Sequence, residues 1–316
     1  SLRTLVLTIV SFKKKETIEF ETEEFHRLAA SLSVLKLVTS HHIRISRYSP
    51  GYLISSGSLD RISRIIKSLN LSLILVNINL SPVQQRNLEK FWKTKVLDRT
   101  GLVLEIFGSR ALTKEGSLQV ELAHLLHQKS RLVRSWTHLE RQRGGKGFLG
   151  GPGETQIESD RRAIDARISR IKKSTEKISK TRKVQRNSRF RKDTFLVSFV
   201  GYTNAGKSTL FNSFPNKKTK EENRLFSTLD PFLKGFRAGN SNYVVSDTVG
   251  FIQNLPTTLI TAFKSTLEEI KYSQLIVHVI DASDEHAFYK SQVVYEILEE
   301  IDNSINLKNN IIEVHN

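Results

Sequence analysis

The sequence predicts an α/β protein in which two α/β domains flank an antiparallel helical hairpin. Three observations support this prediction. Strand-like and helix-like runs alternate at both ends of the chain, leucine and isoleucine recur at heptad spacing in its middle, and a glycine loop separates a strand from a helix after residue 200. The 316 residues suffice for two or three domains, which we place at residues 1–116, 117–192 and 193–316.

The N-terminal domain alternates predicted strands with predicted helices. The run LSLILVNINL is continuously apolar, as expected for a buried parallel strand. Ser81 and Pro82 follow it and provide an N-cap and a first-turn proline for the helix VQQRNLEKFW. The other elements are the strands RTLVLTIV and VLKLVTSHHIRI, the helices TEEFHRLAASL and LDRISRIIKSLN, and the segment KVLDRTGLVLEIF. This alternation predicts a βαβ-type domain.

Two stretches within residues 117–192 carry apolar residues at the 4-3 spacing of a helix–helix seam. A short glycine-rich connector separates them, which predicts an antiparallel hairpin. Two ordinary amphipathic helices packed on a core are the alternative, but the strongly basic faces away from the seam favour the hairpin. The first stretch contains Leu118, Leu122, Leu125, Leu132, Trp136 and Leu139, and the second contains Ile157, Ile164, Ile168, Ile171 and Ile178.

The net charge of +17 is concentrated in this hairpin. Residues 129–192 contain twenty Lys and Arg against six Asp and Glu. Such a concentration indicates a polyanionic partner, and we favour nucleic acid over a role in solubility alone. The candidate contacts on the second helix are Arg161, Arg162, Lys172 and Lys173.

The connector RGGKGFLGGPGE, residues 143–154, is rich in glycine and contains a proline. It could be a plain flexible turn. However, it would carry a lysine and an aromatic ring at the tip of a positively charged arm, which suits insertion among RNA bases and phosphates. We therefore predict RNA contacts at Arg143, Lys146 and Phe148.

The composition excludes several classes of protein. The chain has no cysteine, which excludes disulfides and thiolate metal sites. No apolar run approaches the roughly 18 residues of a membrane span, so we predict no membrane insertion. A basic protein of the membrane surface is disfavoured, because the basic segment has a narrow apolar seam and not a broad apolar face.

Residues 193–316 return to α/β alternation after a predicted linker at residues 182–193. The strand TFLVSFV leads into a glycine loop and a helix, and three more strands follow with helices between them. These strands are NYVVSDTVG, SQLIVHVID and IIEVHN.

The glycine loop GYTNAGKS, from Gly201 to Ser208, fits the pattern G-x-x-x-x-G-K-[ST] between a strand and a helix. The glycines allow a tight turn in which successive N–H groups point at phosphates. Lys207 would reach the β- and γ-phosphates, and the Ser208 hydroxyl would bind Mg²⁺. The other predicted nucleotide contacts in this loop are Gly201, Asn204, Ala205, Gly206 and Thr209.

Two further segments belong to the same predicted site. In DTVG, Asp247 would hold Mg²⁺ through water and the Gly250 N–H would contact the γ-phosphate. In RLFSTLDP, Thr228 would supply a second hydroxyl to Mg²⁺. Their order after the phosphate loop predicts two switch segments that sense the γ-phosphate. We assign catalysis to Lys207, Thr228 and Gly250, acting through positioning and charge stabilisation.

The last residue, Asn316, follows a strand-like run. GTPases recognise guanine with Asn-Lys-x-Asp at the end of the strand after the VID-type strand, because the Asp accepts from ring groups that adenine lacks. EVHN occupies that place, so Asn316 would be the first residue of the motif. A chance asparagine at a strand end is the alternative. On this interpretation the GTPase domain is incomplete at its C-terminal end.

With these motifs in order, the chain resembles the HflX family of ribosome-associated GTPases, which are Obg-HflX-like P-loop GTPases. The resemblance implies an N-terminal α/β domain, a helical hairpin and a P-loop GTPase domain, with Mg²⁺ and GTP or GDP as cofactors. It covers the chain from about residue 80 to its end and rests on LSPVQQRNLEK, DRTGLVLEIF, LVRSWTHLERQRGGKGFLGGPGETQIESDRR, GYTNAGKSTLFN, LFSTLDP, DTVGFIQNLP and AFKSTLEE.

The resemblance also implies partners. It implies binding to the large ribosomal subunit and its RNA, with the hairpin tip near the peptidyl-transferase region. Family members separate stalled or idle ribosomes into subunits, and several are linked to stress. We expect a monomer of the cytoplasm that hydrolyses GTP to GDP; partial association with membranes and an organellar location both stay open.

Four positions depart from the patterns of GTPases. Ser55 and Ser58 stand where the family has Gly and Lys, so no contact is assigned there. Phe232 stands where a threonine is usual; if that threonine holds the metal, the assignment of Thr228 is wrong. Phe251 replaces the glutamine with which many GTPases orient the attacking water.

The residue at position 251 bears on the rate of hydrolysis. Phenylalanine cannot hydrogen-bond a water molecule, which predicts slow intrinsic hydrolysis with the ribosome ordering the switches or supplying the missing group. Two other functions stay open: an ATP- or GTP-dependent RNA-remodelling enzyme, and a nucleotide-binding ribosome factor with little hydrolysis.

Overall fold

The structure is a computed structural model that describes residues 1–10, 15–45, 49–111, 113–142, 152–190, 194–214, 232–263, 267, 270–301 and 310–316. The chain divides into two compact units. The first unit contains residues 1–106 and 124–167, and the second contains residues 107–123 and 168–316.

The first unit is built on a four-stranded sheet with the order β2-β1-β3-β4. All neighbouring strands pair in parallel, which confirms the predicted βαβ-type fold. The elements are β1 (Leu2–Val10), α1 (Lys15–Ala30), β2 (Leu35–Arg44), α2 (Ser56–Leu69), β3 (Leu73–Val76), α3 (Pro82–Trp92), β4 (Lys95–Asp98) and α4 (Arg99–Arg110).

Strand β3 is shorter than the apolar run that predicted it. It covers four residues, all buried. The strand ends because the side-chain oxygen of Asn77 accepts a hydrogen bond from the Ile9 N–H at 2.7 Å, in place of a backbone carbonyl. The predicted helix start is present: Ser81 Oγ accepts from the Gln84 N–H, and the Gln84 side chain accepts from the Ser81 N–H.

The core of the first unit contains apolar side chains from its sheet and from helices α2 and α3. Ile62, Ile74 and Leu88 are completely buried within one cluster. Trp92 closes the cluster, and its indole N–H donates to the Leu59 carbonyl at 3.1 Å. The hydrogen bond satisfies the one polar group of the tryptophan and ties the end of α3 to α2.

Two long helices, α5 (Lys114–Gln142) and α6 (Pro152–Phe190), form the predicted hairpin. Lys129 forms an ion pair with Asp165, and these residues lie thirteen positions before the end of α5 and thirteen after the start of α6. Equal distances from the connector are what an antiparallel hairpin requires. The seam residues Ile168 and Ile171 of α6 are buried. Across the described part of the chain, no helix is both long enough and apolar enough to span a membrane.

The predicted linker at residues 182–193 is wrong over most of its length. Helix α6 continues through Phe190. The segment contains neither glycine nor proline, and its arginine, lysine and glutamine side chains favour helix. The prediction failed because a segment dense in charged residues was interpreted as a linker.

The second unit contains a five-stranded sheet with the order β6-β7-β5-β8-β9. Strands β7, β5, β8 and β9 are parallel, and β6 is antiparallel to β7. The elements are β5 (Thr194–Val200), α7 (Lys207–Ser213), β6 (Phe232–Ala238), β7 (Ser241–Asp247), α8 (Thr257–Ala262), β8 (Leu275–Ile280), α9 (Ala287–Ile301) and β9 (Ile311–His315).

Strand β6 was not predicted from the sequence. It forms a hairpin with β7 in which Ala238 lies opposite Ser241. Gly239, with a φ of 58°, and Asn240 make the two-residue turn between the strands. A Gly-Asn pair is a known hairpin signal, so the turn could have revealed the strand.

The parallel strands of the second unit place the candidate site. Because β5, β7, β8 and β9 run in one direction, their carboxyl ends lie at one edge of the sheet, where open α/β sheets bind ligands. Residues that follow Val200, Val245 and Val314 are therefore brought together although they are distant in sequence.

We expect Leu88→Ala to lower the free energy of unfolding of the first unit by about 2–5 kcal/mol, because it leaves a cavity in a fully buried cluster. The matched control is Leu2→Ala at a side chain that is 42% exposed, and it should cost much less. Urea denaturation followed by circular dichroism measures both, and equal losses would contradict the described core.

Candidate nucleotide-binding site

The phosphate loop connects the end of β5 to the start of α7 through two glycines that admit no side chain. A Cβ atom on Gly201 would lie 2.4 Å from the Val279 carbonyl oxygen of the neighbouring strand. Gly206 has a φ of 91°, in the left-handed region, and its Cβ would lie 2.1 Å from the Asn316 side chain. Asn204 also has a positive φ, of 64°. Glycine at 201 and 206 is thus required by geometry.

Lys207 lies folded back along this loop. Its ammonium donates to the carbonyl oxygens of Tyr202 at 2.7 Å and Gly201 at 3.1 Å. The side chain is only 6% exposed. Burial lowers the pKa of Lys207 to about 8, against a smaller opposing effect of the Asp247 carboxylate. A buried cation at a loop of backbone N–H groups attracts an anionic ligand.

Ser208 and Asp247 meet across the site. The Ser208 hydroxyl donates to Asp247 Oδ2 at 2.7 Å, although the two residues are 39 positions apart. Asp247 ends strand β7 and is almost completely buried. A hydroxyl and a carboxylate oxygen are the ligands that Mg²⁺ prefers in proteins. The sequence predicted these two residues as metal ligands, and the structure brings them together.

The segment after Asp247 is bound to the phosphate loop through the backbone. The Thr203 N–H donates to the Phe251 carbonyl at 2.9 Å, and the Phe251 N–H donates to the Gly201 carbonyl at 3.1 Å. Gly250 is enclosed by this contact, because a Cβ there would lie 2.8 Å from the Thr203 side chain and 3.2 Å from Lys207 Nζ. Gly250 therefore lies close to the Lys207 ammonium, while its predicted contact with a γ-phosphate stays a prediction.

The side chain of Phe251 belongs to the protein interior. It is completely buried. Two polar residues of the same segment form hydrogen bonds away from it: Thr248 Oγ1 donates to the Phe199 carbonyl at 2.6 Å, and Gln253 Nε2 donates to the Tyr289 hydroxyl at 2.5 Å. Position 251 thus supplies its backbone to the phosphate loop and its ring to the core.

Asn316 lies against the phosphate loop from the other side. Its backbone N–H donates to the Ile280 carbonyl at 2.8 Å, and its side-chain amide donates to the Ala205 carbonyl at 3.3 Å. The asparagine predicted as the first residue of the base-reading motif therefore contacts the loop predicted to hold the phosphates. The remaining predicted loop contact, Thr209, is exposed on α7.

Two residues of this site were missed in the sequence. The carbonyl of Tyr202 is the closer acceptor for Lys207, and the Tyr202 hydroxyl accepts from the Gln253 N–H at 2.9 Å. Thr248 anchors the turn after Asp247. Neither has a side-chain type that the phosphate-loop pattern specifies, so no sequence signal could have identified them.

The predicted RNA contacts fall in two groups. Arg161, Arg162, Lys172 and Lys173 are all exposed on α6. Arg143, Lys146 and Phe148 in the connector, and Thr228 of the predicted first switch, lie outside the described residues.

The geometry of the site defines a class of protein, a P-loop GTPase domain: a phosphate loop joins a strand to a helix, the Ser208 hydroxyl is bonded to Asp247, and Asn316 directly follows strand β9. Comparison with known families agrees. Residues 196–316 match the family described as 50S ribosome-binding GTPase. Residues 19–108 and 110–189 match families described as the N-terminal and middle regions of GTP-binding GTPases.

The chain belongs to the HflX family of GTPases. It is 45% identical to the GTPase HflX of Escherichia coli over 298 residues, which cover 94% of this chain and 69% of that protein. It is 47% identical to the GTPase HflX of Magnetococcus marinus over 269 residues, covering 85% of this chain and 62% of the relative. The chain thus spans 62–69% of the length of these two relatives.

Two solved structures share the fold. A GTP-binding protein of the archaeon Sulfolobus solfataricus in complex with GDP is 26% identical, with a TM-score of 0.50 over 95% of this chain and 78% of that one. A GDP complex of the protein named SsGBP gives 26% identity and a TM-score of 0.53 over 96% and 84%. These similarities confirm the predicted fold class.

We expect Lys207→Met to remove a pH dependence from the stability of the nucleotide-free protein. The ordinary pKa of 10.5 applies to the unfolded chain and a pKa of about 8 to the folded one. Between these values the unfolded chain binds a proton that the folded protein has lost, so raising the pH favours folding.

Urea denaturation between about pH 7 and about pH 10 measures this effect. The unfolding free energy of the wild type should rise relative to that of Lys207→Met across this range. Lys177→Met, at an exposed lysine of α6, is the matched control and should follow the wild type. If the unfolding free energy depended on pH in the same way for all three proteins, the described burial of the Lys207 ammonium would be contradicted.

Proposed function

We propose that the protein is a GTPase that binds the large ribosomal subunit, hydrolyses GTP to GDP and separates stalled or idle ribosomes into subunits. The observation that carries this proposal is the convergence of Lys207, the Ser208–Asp247 pair and Asn316 on one phosphate loop. Family membership adds the ribosome as the partner, since the matched family is described as 50S ribosome-binding.

The residues of the loop fit a nucleoside triphosphate. Backbone N–H groups from Asn204 to Ser208 would bind the β- and γ-phosphates, and the Lys207 ammonium would turn from the Gly201 and Tyr202 carbonyls toward them. Asn316 would stand beside the base. Ser208 and Asp247 would hold Mg²⁺, with Thr228 as a proposed further ligand; the ion supplies charge neutralisation on the phosphates.

The buried ring of Phe251 supports slow hydrolysis by the protein alone. The side chain of Phe251 cannot orient a water molecule, because it is apolar and completely buried. What the chain itself provides is charge stabilisation by Lys207 and by the Gly250 N–H, which is fixed at the loop by the Phe251 backbone. The ribosome would order the proposed first switch around Thr228 or supply the missing group.

The exposed cations of α6 support a contact with ribosomal RNA. Arg161, Arg162, Lys172 and Lys173 are exposed on a helix that buries Ile168 and Ile171 of its apolar seam. The backbone of RNA is a regular array of negative charge, and such cations supply sequence-independent affinity. We propose further contacts from Arg143, Lys146 and Phe148 at the connector, near the peptidyl-transferase region.

The remaining proposals concern organisation and setting. We propose three functional parts at residues 1–116, 117–192 and 193–316, of which the middle part grips RNA and the last part senses the nucleotide. We further propose that the protein acts as a monomer in the cytoplasm and under stress. GTP would favour the ribosome-bound state through its differential affinity for the two states of the switches.

Steady-state GTP turnover with and without purified large subunits tests the proposed activity. We expect slow turnover alone and acceleration on the order of tenfold or more by the subunits, because the protein lacks a water-orienting side chain. Small subunits serve as the matched control for RNA in general, and Lys207→Met as the control for contaminating enzymes. Equal turnover with and without large subunits would refute the proposed role of the ribosome.

Charge reversal on α6 tests the proposed RNA contact. We expect simultaneous replacement of Arg161, Arg162, Lys172 and Lys173 by glutamate to weaken cosedimentation with large subunits by at least about tenfold and to reduce its salt dependence. The measurement uses a non-hydrolysable GTP analogue, with GDP for comparison. The matched control reverses four exposed cations of the first unit, Arg61, Arg64, Lys90 and Lys93. Unchanged binding of the α6 variant at moderate salt would count against the contact.

A further inference from the structure

Lys234 is a buried cation outside the predicted site. It lies in the middle of β6, and only 6% of it is exposed, whereas Leu233 before it is 42% exposed. Its side chain therefore points inward from the strand. The ammonium donates to the Phe211 carbonyl at 3.1 Å and to Asn212 Oδ1 at 3.2 Å, and it lies 4.4 Å from the centroid of the Phe211 ring.

The groups that Lys234 binds belong to the carboxyl end of α7. This helix spans Lys207–Ser213, so its first two residues are the phosphate-loop lysine and the metal-binding serine. A helix of seven residues is only about 10 Å long. It has no middle section that could absorb a displacement, and a tilt at one end moves the other. A positive charge at its carboxyl end is also favourable, because the last carbonyl groups carry partial negative charge.

Strand β6 also pairs with β7, the strand that carries Asp247, the second proposed metal ligand. Phe232 lies directly opposite Asp247 in the antiparallel ladder, and Lys234 lies opposite Val245. The strand is therefore joined to Asp247 through the backbone of β7 and to Ser208 through Lys234 and α7. The Ser208–Asp247 hydrogen bond of 2.7 Å closes this loop of contacts.

We propose that Lys234 is a positioning residue for the metal site: it fixes α7 relative to β7 so that Ser208 stays within reach of Asp247. The inference deepens the proposed GTPase function and rests on it. Lys234 contacts neither the phosphate loop nor Asp247 directly, so it acts through the orientation of α7. Its loss impairs the contribution of Mg²⁺ to nucleotide affinity and spares the contribution of the loop itself.

A purely structural role is the competing explanation. In the described sheet β6 is an edge strand, and an inward-pointing charge protects such strands from pairing with other chains. Under that role, replacement of Lys234 lowers stability or causes association but leaves the ratio of affinities with and without Mg²⁺ unchanged. The ratio of the nucleotide affinity with Mg²⁺ to the affinity without Mg²⁺ therefore distinguishes the two explanations.

The experiment compares the affinity for a fluorescent GDP in excess Mg²⁺ and in EDTA, with thermal unfolding and sedimentation measured in parallel. We expect Lys234→Met to reduce the gain in affinity from Mg²⁺ by about tenfold and to change the affinity in EDTA by less than about twofold. Asn212→Ala removes one acceptor only and should give a smaller reduction in the same direction. It keeps the test available if Lys234→Met does not fold.

Two controls separate positioning from charge and from stability. Arg237→Met removes an exposed cation from the same strand and should leave the gain unchanged. Val294→Ala removes core volume from α9 in the same unit and should lower stability without changing the gain. The positioning role is overturned if Lys234→Met and Asn212→Ala both keep the full gain in GDP affinity from Mg²⁺. It is also overturned if Val294→Ala loses as much of this gain as Lys234→Met does. A wild type that binds no nucleotide refutes the proposed function instead.

Discussion

The buried ammonium of Lys207 is the constraint on which the rest of the second unit depends. A cation in a protein interior is tolerated only with close acceptors, and here these are two carbonyl groups of the loop that the lysine itself ends. The same acceptors define the curvature of the loop, and the curvature brings the Phe251 backbone against it. Without a ligand, burial of the Lys207 charge lowers the free energy of unfolding. Bound phosphates would pair with this charge, so the same ammonium would then favour ligand binding.

The site unites segments that are far apart in the chain because the parallel sheet ends them at one edge. Asp247 comes from β7, Asn316 follows β9, and the phosphate loop follows β5. Short hydrogen bonds tie these segments to the sheet, such as that from Thr248 to the Phe199 carbonyl and that from the Asn316 N–H to the Ile280 carbonyl. A movement of a strand end therefore displaces residues of the nucleotide-binding site, and a switch requires such coupling.

Much of this arrangement could be predicted from sequence because its motifs specify backbone geometry. The pattern from Gly201 to Ser208 demands a strand, a tight turn and a helix, and Asn316 could be placed by counting strands. The errors occurred where direction or continuity carries no compositional signal. No orientation was predicted for Lys234, because it depends on partners in α7, and the continuation of α6 through residues 182–190 was hidden by the high density of charge.

The burial of Phe251 restricts how hydrolysis in this protein could evolve. A glutamine at this position would bring a polar amide to a place where the phenylalanine side chain is completely buried, and an amide without a hydrogen-bond partner there would lower the free energy of unfolding. A change from phenylalanine to glutamine would therefore have to preserve folding as well as alter hydrolysis. Selection for a stable interior and selection on the rate of hydrolysis therefore act on the same position.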